Sequence, residues 1–219
     1  MFEWLKSLGQ QDEGLEQIQN EFLQMLEDGR HIFDASSNAL LGGTNPSVIH
    51  DDLFDTDKRI NKTEQLIRRQ MVVHGSIHGS QTFPALLVFM SLTKDAERIG
   101  DFAKNLYELA SWGPYLGNQE TKNEMATLKN RISKLLIKAR HLYEEQDTQG
   151  ARAFLNEVDE HKRLCDQKVQ EFMGIKDENM SGCVLTYRFY KRILSHLSNI
   201  ISSVIMPVDK LGYRPEKSA

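Results

Sequence analysis

The stretch Leu92–Leu109, LTKDAERIGDFAKNLYEL, has a helix former at nearly every position, no proline and a single glycine, Gly100. Glu97 and Asp101 are four residues apart, so both carboxylates project from one helix face. Asn105 and Glu108 carry that face on by about two turns. Leu92, Ile99, Phe102, Ala103 and Leu106 surround the polar stripe. Carboxylates beside core residues are costly unless a cation, an arginine or a metal ion neutralises them.

Glu97-Arg98-Ile99-Gly100-Asp101, with Asn105 four residues on, resembles the signature of the PhoU family of phosphate-signalling proteins. The resemblance implies three-helix bundles that occur twice in the chain. It also implies a Glu-x-x-x-Asp helix that binds metal inside each bundle.

Working outward, the apolar pattern gives the same architecture from the residues alone. The third helix is expected over Phe83–Trp112, opened by Thr82 and Pro84 and stopped by Gly113-Pro114. Before it, Ile49, Leu53, Phe54, Ile60, Ile67 and Met71 mark a second helix over Pro46–His74, with Asn45 as its cap. His74-Gly-Ser-Ile-His78-Gly-Ser80 then reads as a loop, in which the spacing of His74 and His78 is not taken as a metal site. Leu15, Ile18, Phe22, Met25, Leu26, Ile32 and Phe33 mark a first helix over Asp12–Leu41, ended by Gly42-Gly43. Phe2, Trp4, Leu5 and Leu8 precede it as a short lead-in that caps the bundle or touches a membrane surface.

The second half repeats the scheme. A fourth helix is expected over Thr121–Gln146 with Thr121-x-x-Glu124 as a capping box, a fifth over Thr148–Met173, and a sixth from Ser181 to about Val208. Arg30-His31-Ile32-Phe33 aligns with Arg140-His141-Leu142-Tyr143, Lys58-Arg59-Ile60 with Lys162-Arg163-Leu164, and Arg98-Ile99 and Asn105 with Arg192-Ile193 and Asn199. Three matches in order on equivalent helices indicate a duplication. The expected fold is all-α, with two tandem three-helix bundles related by a pseudo-two-fold. Residues 1–11 are the lead-in, 12–113 the first repeat and 114–219 the second.

A second polar stripe crosses the second helix: Asp57, Asn61 and Glu64 share one face. With antiparallel packing they meet Glu97 and Asp101. Such hard oxygen donors suit Fe, Mn, Mg or Ca and disfavour Zn. Asn61 and Asn105 are lesser ligands or supporting residues. The alternative is a solvated stripe, or one paired with Arg98, Lys58, Arg59 and Arg68. The equivalents of Asp57, Asn61, Glu64, Glu97 and Asp101 in the second half are His161, Cys165, Lys168, Lys191 and Ser195. Any metal therefore belongs to the first repeat only. His161, Cys165 and His196 are read as a packed cluster, Met71, Met90, Met125, Met173 and Met206 as core filler, and Arg188, Lys191 and Arg192 as a solvated face.

The remaining features exclude more than they assign. The 219-residue chain is 40% hydrophobic and 26% charged, an ordinary globular composition. A net charge of -4 gives no reason to expect nucleic-acid binding. Cys165 and Cys183 form no disulfide framework and suit a reducing compartment. No apolar run is long enough to span a membrane. There is no Glu-x-x-His of a carboxylate oxidase, no phosphate-cradling glycine loop and no nucleophile elbow. The chain thus reads as a non-enzymatic cytoplasmic protein. The resemblance implies a regulator of phosphate transport and phosphate-starvation signalling. Its partners by resemblance are the phosphate transporter's components and the sensor kinase, at the inner membrane face; a homodimer is compatible with this. The alternative is a metal-binding helical adaptor of another transport or signalling system.

Overall fold

The computed structural model describes residues 13–176 and 179–206. Their regular structure is six long helices and one short 3-10 turn, with no strand among the described residues. The helices are α1 (Glu13–Leu41), α2 (Pro46–His78), α3 (Phe83–Ser111), α4 (Gln119–Glu145), α5 (Thr148–Gly174) and α6 (Ser181–Ser202). The lead-in residues Phe2, Trp4, Leu5 and Leu8, and Val208, lie outside the described residues.

α2, α4 and α5 begin where a side chain satisfies free amides, whereas the expected cap Thr82 makes no such bond at the start of α3. The Asn45 side chain accepts from the Ser47 amide, and Pro46 fills the first position of α2. Asp147 accepts from the amides of Gln149 and Gly150 at the start of α5. The expected capping box of α4 is corrected. Asn118 is the cap, accepting from both the amide and the hydroxyl of Thr121, so Thr121 already lies inside the first turn.

The expected loop at His74–Ser80 is also corrected. α2 runs on to His78, and His74 and His78 stack on successive turns with ring centroids 4.3 Å apart. Gly75 does not break the helix. A Cβ there would meet Leu86 Cδ1 at 3.0 Å, so the missing side chain lets α3 come close. The stop is Gly79, whose positive φ of 77° turns the chain while its amide bonds back to the Gly75 carbonyl. At the far end α6 closes at Ser202, short of Val208, in tight turns through residues 203–205.

α1, α2 and α3 pack on one another, as do α4, α5 and α6. The two groups meet along α1 with α4 and α3 with α6, and the buried side chains form one continuous core. Phe22 and Phe33 of α1 are at the seam, Phe22 between Phe89 and Tyr143, and Phe33 against Tyr190. All seven apolar residues expected to line α1 are buried. The methionines divide: Met71 and Met125 are core, whereas Met90 and Met173 are exposed, contrary to their reading as filler. No described helix is long and apolar enough to cross a membrane.

Candidate cation stripe between α2 and α3

α2 and α3 run antiparallel, because Asp57 meets Lys104 near one end of the contact and Glu64 meets Lys94 near the other. This register brings the two expected polar faces together. Asp57, Glu64 and Glu97 are buried, and Asn61, Asp101 and Asn105 are half-buried. Ile60 and Gly100 set the spacing behind them, since a Cβ on Gly100 would stand 3.0 Å from Ile60 Cδ1.

The carboxylates have cationic neighbours. Lys94 Nζ is 2.7 Å from Glu97 Oε2 and 3.7 Å from Glu64 Oε1. Lys104 Nζ donates to Asp57 Oδ2 at 2.9 Å and is 4.0 Å from Asp101 Oδ1. Arg68 Nη2 is 2.7 Å from Glu64 Oε1. The contacts to Glu64 Oε1 and Glu97 Oε2 are ion pairs without hydrogen-bond alignment.

Of the four cations expected to pair with the stripe, only Arg68 does so. Arg59 reaches Asp28 on α1 at 2.7 Å, Lys58 holds Asp55 at 3.0 Å, and Arg98 is exposed. Sequence reasoning passed over Lys94 and Lys104. The signal was present: one stands three residues before Glu97 and the other three after Asp101, the spacing of ion pairs on a helix.

The donor types suit a hard cation, but the arrangement does not offer one an open site. Each carboxylate already has an ammonium or guanidinium within 4.0 Å. Among the described residues, no group of three or more His, Cys, Asp or Glu side chains is gathered so as to hold a metal ion.

Asp101 is the least compensated of the four. Burial pushes its pKa up, Glu97 adds to the rise, and Lys104 opposes it. A raised pKa means that the ionised form is penalised in the folded state. The penalty is complete above the folded pKa and vanishes as pH falls below the unfolded value. Asp101→Asn is therefore expected to raise Tm at pH 7. The gain should shrink toward zero below about pH 4. Thermal melts of the two proteins across pH 3–8 check this, and a lower Tm for the variant at pH 7 would contradict it.

The second half is wired differently. Lys191 donates to both oxygens of Asp166 at 2.6 Å, and Lys168 is 2.6 Å from Glu124. His161 and Cys165 are buried on α5, and burial pushes the Cys165 thiol up to about 12. His196 turns across to the first half, where its Nδ1 is 2.7 Å from Asp95 Oδ1. Lys191 and Arg192 are not simply solvated, because the Arg192 guanidinium also lies over the Phe102 ring at 5.2 Å.

Residues 22–110 match the family model of the PhoU domain, a span that includes every residue of the stripe. The first half is similar to a PhoU domain. The crystal structure of PhoU from Pseudomonas aeruginosa superposes with a TM-score of 0.77, at 18% identity, over 88% of this chain and 95% of that one. That likeness extends the fold to both halves, beyond the span matched as a PhoU domain. Among curated proteins, none matches the chain.

Proposed function

We propose that the protein is a regulator of phosphate transport and phosphate-starvation signalling, working by protein contact at the cytoplasmic face of the membrane. The observation that carries this reading is the match to a PhoU domain over residues 22–110, set in a six-helix frame like that of a whole PhoU protein. Contact, not catalysis, is in keeping with long helices that offer broad faces and with a sequence that has no nucleophile elbow or phosphate loop. The partners on this reading are the phosphate transporter and its sensor kinase.

Deleting the gene is expected to derepress phosphate uptake and starvation-gene expression in phosphate-replete medium. Uptake of labelled phosphate and a starvation-promoter reporter measure it, with the intact gene restored as control. Unchanged uptake and reporter activity in the deletion strain would overturn the proposal. Pull-down from cells grown with and without phosphate then identifies the partner.

A further inference from the structure

The two lysines of the α2–α3 stripe do what a bridging metal ion would do. Each ammonium contacts one carboxylate from each helix: Lys94 joins Glu64 of α2 to Glu97 of α3, and Lys104 joins Asp57 of α2 to Asp101 of α3. We propose that Lys94 and Lys104 are the resident cations of this stripe, so that the first half holds α2 against α3 with no bound metal.

Charge and position support the assignment. Asp57, Glu64, Glu97 and Asp101 supply four negative charges, and Lys94, Lys104 and Arg68 return three. An added divalent ion would compete for oxygens already in ion pairs. A tethered ammonium meets those oxygens at high effective concentration and loses no translational freedom, whereas a free ion does. The same solution recurs in the second half. There Lys191 stands at the position of Glu97 and closes on Asp166, again joining α6 to the preceding helix. The lysines also enter the first stripe from opposite ends, so neither blocks the other. This inference does not depend on the phosphate reading, and a deletion phenotype neither supports nor weakens it.

The test uses the full chain, dialysed against chelator and then titrated with Mn2+ and, under argon, Fe2+. Calorimetric heat and Tm are followed for the wild type, Lys94→Arg, Lys94→Met, Lys94→Met with Lys104→Met, and Lys94→Met with Glu97→Gln. The wild type is expected to give no saturable heat and no rise in Tm. The double lysine variant should melt about 5 °C lower, because it strands buried carboxylates. Adding Glu97→Gln to Lys94→Met should recover most of the loss, and Lys94→Arg should melt as the wild type does. A wild type that takes up either ion with a saturable gain in Tm would overturn the proposal. So would a double lysine variant whose Tm is unchanged.

Discussion

Phe22→Ala is expected to cost about 4 kcal/mol of stability, lowering Tm by about 10 °C. Phe22 is 0% exposed and makes contacts in both halves. Its ring centroid is 6.5 Å from that of Phe89 on α3, edge to face, and 4.9 Å from that of Tyr143 on α4. Truncation removes the transfer energy of the ring and leaves a cavity with walls from three helices, which cannot all close in at once. Because the core is continuous across the two helix groups, the loss should appear in one cooperative transition. Urea unfolding followed by far-ultraviolet dichroism and tyrosine fluorescence reads both features. A loss below about 1 kcal/mol would show that the seam repacks freely. A separate early transition would show that the halves unfold independently.

How such a residue could be seen in the sequence is instructive. The apolar spacing Leu15, Ile18, Phe22, Met25 identified the buried face of α1 without ambiguity. It could not say that this face is shared between α3 and α4, because periodicity reports burial and not partner. Element ends were legible where one residue has one physical use, as at Asn45-Pro46. They were misjudged at Gly75, whose role depends on Leu86 approaching from another helix. Thr121 has the right residue type for a cap, yet Asn118 three residues earlier accepts its amide first.

The stripe was legible in the same partial way. Spacing placed Asp57, Asn61, Glu64, Glu97 and Asp101 on facing stripes, and the antiparallel register brings those stripes together. Choosing among the neutralising cations required side-chain reach. Lys58 and Arg59 sit next to the acids in sequence but leave on other faces of α2, to Asp55 and Asp28. Lys94 and Lys104, inside the quoted motif itself, supply the charge.

The second large effect is expected at Asp95, a residue that the sequence offered no reason to single out. It lies two positions from Glu97, and two positions on a helix is about 200° of rotation. Glu97 therefore faces α2 while Asp95 faces α6. There its Oδ1 accepts from Asn199 Nδ2 at 3.2 Å and is 2.7 Å from His196 Nδ1. The His196 ring stacks on Phe102 at 5.6 Å between centroids, and its side chain is only 6% exposed. Asp95→Ala would leave two enclosed polar groups without their acceptor, in a contact that joins the two halves. The expected loss is about 3 kcal/mol. Asp95→Asn keeps one carbonyl acceptor and should lose clearly less. A double-mutant cycle with Asn199→Ala separates the shared hydrogen bond from general packing, with an expected coupling of about 1 kcal/mol. Stability is read by urea titration at pH 7. If Asp95→Ala unfolds at the same urea concentration as the wild type, the pair does not latch α3 to α6. The halves would then be held by the remaining contacts, among them the aromatic seam of Phe22 and Phe33 and the Ser133–Asp34 hydrogen bond.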